Sequence, residues 1–232
     1  MSTTDAATNT AALSPQDEWT RSDLYHNSFL IPHDDSLEFA KKNSDDSGLP
    51  SIAVTAAQGK LLNLIARSVN AKRILEVGTL GGYSTIWLAR ALPDDGLLIS
   101  AELHQKHADV ARENLIRAGQ SSKVQIIVGN AVETLSNLHP EQPFDLAFVD
   151  ADKPNNLTYF IEAKRTVKKG GVIIVDNVVR EGLVADTSND EPSSKGVRKL
   201  LEYLKDDKDV DATTIATVGE KGYDGFLYAV VN

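Results

Sequence analysis

The sequence predicts an α/β fold of three layers, built on a mostly parallel, seven-stranded sheet with one antiparallel strand near the C-terminus. Three observations carry that expectation. Short apolar runs of strand character alternate with longer segments whose apolar residues recur at helical spacing, the rhythm of strand–helix–strand units joined by right-handed crossovers. The first such strand, Arg73–Val77, runs into a glycine-rich turn, Gly78-Thr79-Leu80-Gly81-Gly82. Two later strands end in oxygen-bearing side chains: Phe144–Val149 runs into Asp150-Ala151-Asp152-Lys153, and Val172–Val175 into Asp176-Asn177.

Taken in order, residues 1–16 are polar and poor in large apolar side chains, so a mobile tail is expected. Residues 17–48 read as a helical arm and linker. Asp17–Lys42 carries Trp19, Leu24, Tyr25, Phe29, Leu30, Leu37 and Phe39, too apolar for a free tail. One or two helices broken near Pro32 are expected, docked on the main domain or on a second subunit. Asn43–Gly48 is a linker by composition. The main domain, 49–232, opens with a helix over Thr55–Val69, where Leu61, Leu62, Leu64, Ile65 and Val69 form the apolar stripe. Strands follow at Arg73–Val77, Leu97–Ala101, Val124–Val128, Phe144–Val149 and Val172–Val175. Helices lie between them at Gly82–Ala91, His104–Ala118 (closed by Gly119, a good C-cap residue), Ala131–Leu138 and Asn156–Val167. A helix at Lys195–Leu204 precedes Thr213–Val218 and Phe226–Val231, close enough to form a hairpin and so to place one strand antiparallel.

A chain of 232 residues, 41% apolar and 25% charged, is large enough to bury a substantial core. Its net charge of −9 argues against nucleic acid or an anionic membrane surface as the main partner, since such interfaces rely on Lys/Arg clusters. The absence of cysteine excludes disulfides, thiolate metal sites and a Cys nucleophile, and is compatible with the cytosol. No apolar stretch approaches the roughly 20 residues of a membrane span. The N-terminal segment lacks the Lys and Arg of a secretory or transit signal, so a soluble cytoplasmic protein is expected. Neither G-x-S-x-G nor H-E-x-x-H occurs, which disfavours the common hydrolase sites. The five histidines show no metal-ligand spacing, and His104 and His107 fit most simply on the solvent face of a helix.

A parallel sheet aligns the carboxyl ends of neighbouring strands, so Asp150, Asp176 and Asn177 are expected to meet at one edge of a crevice. Three oxygen donors with no Cys or His nearby suit a hard divalent cation, Mg2+ above all, with Mn2+ or Ca2+ also possible. The glycine turn does not follow the dinucleotide pattern G-x-G-x-x-G, because Leu80 occupies the position of the close-approach glycine. Glu76, just before the turn, would repel a pyrophosphate but suits a cationic ligand such as the amino group or sulfonium of S-adenosylmethionine. Glu102 ends the second strand, where a carboxylate can accept from both ribose hydroxyls of NAD or S-adenosylmethionine. A nucleoside cofactor and a metal on one sheet imply a two-substrate enzyme.

From about Pro50 to Asn232 the chain resembles the cation-dependent class I O-methyltransferases, the group that contains catechol and caffeoyl-CoA O-methyltransferase. The resemblance rests on E-V-G-T-L-G-G-Y-S at 76–84, V-D-A-D-K at 149–153, and V-D-N at 175–177 followed by V-V-R-E-G-L-V. The VVREGLVAD stretch looks more like the microbial members. The resemblance implies a Rossmann-like methyltransferase fold, with the metal held by Asp150, Asp176 and Asn177. It also implies an S-adenosylmethionine pocket lined by Glu76, Gly78, Thr79, Ser84, Glu102 and Ala131, with the backbone of Val54 at the methionine end and Asp150 close to both metal and cofactor. Lys153 matches the family's proposed general base, and Asp150 is its catalytic neighbour. A homodimer, with the helical arm near the acceptor pocket, and a small catechol-type acceptor are expected on the same ground. The segment before Pro50 and the Arg180–Lys195 loop are expected to select the acceptor.

Single residues keep alternatives. To act as a base Lys153 must be neutral for part of the time, which burial or a neighbouring metal favours; otherwise it is a charged anchor. Asp152 either bonds the cofactor side or, more simply, caps the helix that begins near Pro154. At the level of function, a nicotinamide-dependent oxidoreductase explains Glu102 but neither the metal constellation nor the glycine spacing. A non-catalytic cofactor-binding module has no use for three metal donors and Lys153.

Overall fold

All seven strand segments pair into one sheet in the computed structural model, which describes residues 13–232. The strands are β1 (Arg73–Val77), β2 (Leu97–Glu102), β3 (Val124–Val128), β4 (Phe144–Val149), β5 (Val167–Asp176), β6 (Val210–Gly219) and β7 (Gly222–Val231), in the order β3-β2-β1-β4-β5-β7-β6. β1 to β5 are parallel, and β7 pairs antiparallel with both β5 and β6, so it alone runs against the rest. The strand order reverses between β1 and β4, and such a switch point opens a crevice beyond the carboxyl ends of the strands. Register places the site there. Val77 lies beside Val149 and Val149 beside Val175, so Gly78, Asp150 and Asp176, the last residue of β5, come side by side at the carboxyl edge of the sheet.

The helices are α1 (Pro15–Leu30), α2 (Asp35–Asp46), α3 (Ala56–Ser68), α4 (Tyr83–Ala89), α5 (Gln105–Arg117), α6 (Ala131–Ser136), α7 (Asn156–Thr166) and α8 (Pro192–Asp206). They cover both faces of the sheet, and the strands feed both cores by alternation. Ala147 and Val149 of β4 join Phe160, Val197 and Leu200 on one face, while Leu146 and Phe148 join Ile86, Leu88 and Leu62 on the other. Every residue of β4 is buried, as a central parallel strand requires.

Near the N-terminus the structure departs from the sequence expectations. Ser14 and Asp17 form a reciprocal capping box, with Pro15 in the first turn of α1. The expected tail over 1–16 is therefore already helical at its end, and residues 1–12 lie outside the described residues. The break near Pro32 is present, between Leu30 and Asp35. Asp34 caps α2 by accepting from the Ser36 and Leu37 amides and binds Arg90 of the main domain in a two-pronged ion pair. Residues 43–46, expected as linker, form the last turn of α2. Asn43 donates to Asn114 of α5 at 2.9 Å and Ser44 to the Ala40 carbonyl at 2.7 Å, so contacts with α5 outweigh a composition that favours turns. On α3 the buried face is Gly59, Leu62, Asn63 and Ala66, while Leu61 and Leu64 are exposed. Gly59 packs against the Trp87 ring, where any side chain would collide, and that close approach sets the face of α3 that turns inward. Among the described residues no helix is long and apolar enough to cross a membrane.

Candidate active site

A cavity of about 710 Å3 opens at the switch point, walled by Val54, Gly78, Thr79, Ser84, Glu102, Ala131, Asp150 and Lys153 together with His104, His107, Asp152, Asn155, Tyr159 and Asn177. Gly78, with φ of +100°, packs on the backbone of Asp150, and an added Cβ would strike the Asp150 carbonyl oxygen. The glycine is thus demanded by the crossing of two chain segments as well as by any ligand.

Glu102 binds the glycine turn to the start of α5. Its Oε2 accepts from the amides of Thr79 (3.1 Å) and Leu80 (2.9 Å), and its Oε1 from the amide of His104 (2.9 Å). His107 Nδ1 lies 3.1 Å from the same Oε1, and the His104 and His107 rings meet edge to face at 4.7 Å. The two histidines, expected on a solvent face, line the cavity, His104 exposed and His107 half-buried. The reason is that α5 begins at the carboxyl edge of the sheet and its first turn faces the crevice.

Glu76 does not reach the cavity wall. It is fully buried and accepts from the hydroxyls of Ser84 (2.7 Å), Thr85 (2.6 Å) and Ser100 (2.6 Å). Burial pushes its carboxyl up to about 7 against the pull of those three hydroxyls, and the charge of Asp150 adds to the rise. Where the sequence places Glu76 facing the ligand, the structure sets it one layer behind the wall, bonded to Ser84 and to Ser100, whose hydroxyl meets Thr79 at 2.6 Å.

Lys153 is buried, and its Nζ donates to Asp150 Oδ1 at 2.8 Å. Asp152 precedes the short 3-10 turn Lys153–Asn155 but makes no side-chain capping bond. Its carboxylate instead accepts from the hydroxyl of Tyr159 and from Asn155 Nδ2 (2.7 Å), so the capping expectation fails. Burial and the bond to Asp152 hold the Tyr159 phenol above its ordinary range. Sequence reasoning misses Tyr159, although it sits two helical turns beyond Asp152.

The three expected metal donors stand together at the ends of β4 and β5. Asp176 is buried, and burial pushes its carboxyl up to about 7; the charge of Asp150 raises it further while Lys153 opposes. Asn177 has φ of +56° and donates from Nδ2 to Asp224 Oδ2 at 3.1 Å. An ionised carboxylate only accepts, so this bond sets the amide orientation and leaves Asn177 Oδ1 as the available acceptor. Asp224, on β7, also accepts the amides of Val179, Arg180 and Gly225. Among the described residues no group of three or more His, Asp or Glu side chains is placed to hold a metal, so the candidate set is two carboxylates and one amide oxygen. That set, with one carboxylate buried and destabilised by the other's charge, fits a hard oxygen-seeking dication.

A second cavity of about 580 Å3 lies on the other side of these donors, with Ile52, Val54, Leu61, Asp176, Asn177, Arg180, Lys221 and Phe226 in its wall. Asp150 borders the first cavity, Asp176 the second, and Asn177 both. The two cavities thus meet at one polar centre.

The sequence model of the O-methyltransferase family matches residues 33–224. The chain belongs to the O-methyltransferase family. It is 46% identical over 209 residues to a catechol O-methyltransferase of Mycobacterium tuberculosis, covering 90% of this chain and 94% of that one. Among solved structures it is similar to the O-methyltransferase TomG of Streptomyces achromogenes, involved in tomaymycin synthesis and determined with S-adenosylmethionine (TM-score 0.92, 44% identity, 95% of this chain and 100% of the other). An O-methyltransferase of Bacillus cereus in complex with S-adenosylhomocysteine matches equally well (TM-score 0.92, 44% identity, 94% and 100%). Family membership sets aside the nicotinamide-dependent reading for this O-methyltransferase.

Proposed function

We propose that this O-methyltransferase moves the methyl group of S-adenosylmethionine to one hydroxyl of a small catechol-type acceptor, with a divalent cation held by Asp150, Asp176 and Asn177. The observation that carries the reading is the position of Asn177, in the wall of both cavities, with Asp150 on one side and Asp176 on the other. The relatives that carry S-adenosylmethionine, its product, or a catechol O-methyltransferase name support it.

Methyl transfer is an in-line displacement, in which an oxygen attacks the methyl carbon of a sulfonium and a neutral thioether leaves; a phenol is poor at this until deprotonated. A divalent cation held by these residues would supply Lewis acidity, lowering the pKa of a neighbouring hydroxyl pair. Asp150 and Asp176 contribute two negative charges, and Asn177 a neutral oxygen whose direction Asp224 sets. Lys153, buried beside Asp150, stands at the boundary of the first cavity. As a neutral amine it takes the hydroxyl proton, and as an ammonium it holds the phenolate in place. Glu102 keeps the glycine turn in position and offers its carboxylate to a ribose.

The test is turnover of catechol with S-adenosylmethionine before and after exhaustive EDTA treatment, followed by return of Mg2+. Loss of product with chelator and recovery with Mg2+ are expected. Full activity after chelation would overturn the metal requirement, and no methylation of any vicinal diol would overturn the acceptor class.

A further inference from the structure

We propose that Arg180 and Lys221 form an anion subsite in the second cavity, and that the acceptor is a vicinal dihydroxy-aromatic acid in preference to a neutral catechol or a catechol amine. This rests on the reading above, and adds that the acceptor enters the second cavity while S-adenosylmethionine occupies the first. Both cations share its wall with Asp176 and Asn177, so an acceptor whose hydroxyls face those donors can present a further anionic substituent to Arg180 and Lys221.

Neither cation has a carboxylate partner among the described residues. The side chain of Arg180 makes no hydrogen bond there, and its Nε is shut away from solvent without an acceptor. Lys221 Nζ donates to the Ala53 carbonyl, which leaves two of its three N–H groups uncommitted. An enclosed donor without an acceptor, as at Arg180 Nε, is costly and calls for a partner, whereas Lys221 is exposed and its remaining N–H groups are open to a ligand. Two of the carboxylates in the same wall, Asp224 and Asp23, have their hydrogen bonds committed elsewhere. Asp224 already receives three backbone amides and the Asn177 amide, and Asp23 receives the amide of Glu220 at 2.9 Å.

The placement of Arg180 is enforced rather than incidental. Arg180 and Glu181 both have left-handed backbone angles, φ of +53° and +56°, which residues with side chains adopt only when their surroundings impose it. Asp224 imposes it by holding the Arg180 amide at 2.8 Å, and the same carboxylate orients the Asn177 amide. One residue therefore sets both a candidate metal donor and the cation beside it. Ile52, Leu61 and Phe226 supply apolar surface for an aromatic ring, and Phe226 lies directly beside Asp176 in the β5–β7 ladder.

The experiment compares 3,4-dihydroxybenzoate, unsubstituted catechol and dopamine with the full-length protein in the presence of Mg2+. Dissociation constants come from calorimetry with S-adenosylhomocysteine bound, and kcat/KM from turnover with S-adenosylmethionine. The wild type is expected to favour the acid over the amine in both measurements. Arg180→Gln and Lys221→Gln are each expected to lower the acid-to-catechol ratio about tenfold, a factor within reach of one hydrogen bond to a charged group. The double reversal R180E/K221E is expected to shift the preference toward dopamine. Equal treatment of acid and amine by the wild type, or an unchanged ratio in the variants, overturns the subsite while leaving the catechol reading intact. Failure to bind or methylate any of the three compounds overturns both.

Discussion

Asp150 and Asp176 are neighbours in space with different surroundings, and that difference separates their roles. Asp150 borders the first cavity and pairs with Lys153, whereas Asp176 is buried on the side of the second. Asp150→Ala and Asp176→Ala are both expected to abolish turnover, but Asp176→Ala should weaken S-adenosylmethionine binding much less. Calorimetry giving equal losses would contradict the division. Glu76 makes a separate prediction through pH. Its carboxyl titrates near 7 in the folded chain against 4.5 without burial, so between those values the unfolded chain has released a proton that the folded chain retains. The stability this contributes is fully present below about 4.5 and is lost as pH rises through about 7. The effect is on the order of 3 kcal/mol. Glu76→Gln should therefore flatten the fall in unfolding free energy between about pH 5 and 7.5, as read by urea denaturation at a series of pH values; an unaltered slope would show that Glu76 titrates normally.

At the scale of elements, the wall of the first cavity depends on a turn held from outside. Gly78–Gly82 has no regular structure of its own over Thr79 and Leu80, and Glu102 at the end of β2 supplies the acceptor that both amides need. Glu102→Ala removes that tether together with the carboxylate expected at the ribose, so cofactor affinity should fall by about 1.5–3 kcal/mol, the range for hydrogen bonds to a charged group. Hydrogen exchange at the Thr79 and Leu80 amides should rise in the same variant. Unchanged affinity by calorimetry would remove Glu102 from the binding site. Small residues play a comparable part in the packing of α2 and α3. Gly81 leaves room for Ser44, and Gly59 for Trp87, so they determine which helix faces turn inward.

For the whole molecule, α1 is the element left unaccounted for. None of its residues is buried, and Leu24, Tyr25, Phe29 and Leu30 are 59%, 63%, 72% and 67% exposed. We propose that this surface is covered in a two-fold homodimer, with residues 17–48 as the arm of each subunit and 49–232 as its catalytic domain. Light scattering should then give about twice the 25.1 kDa of one chain. Deleting residues 1–30 should lower that mass toward the monomer while S-adenosylmethionine binding persists, because α2, with Leu37 and Ala40 buried, keeps its place. A monomeric mass for the intact chain at micromolar concentration would dispose of the dimer.

Local patterning was enough to read the seven strands, their alternation with helices, and the convergence of Asp150, Asp176 and Asn177. Each depends on apolar periodicity or on the residues just beyond a strand end, and a parallel sheet turns strand ends into neighbours. Other features were settled only in three dimensions, by partners distant along the chain. The direction of the Asn177 amide comes from Asp224, 47 residues away, and the retreat of Glu76 behind Ser84 from a hydroxyl on β2. The helical state of residues 43–46 comes from Asn114, 71 residues on from Asn43. A carboxylate, an amide or a turn-forming composition reads the same in the sequence whether water or another side chain satisfies it, and burial is what chooses between them.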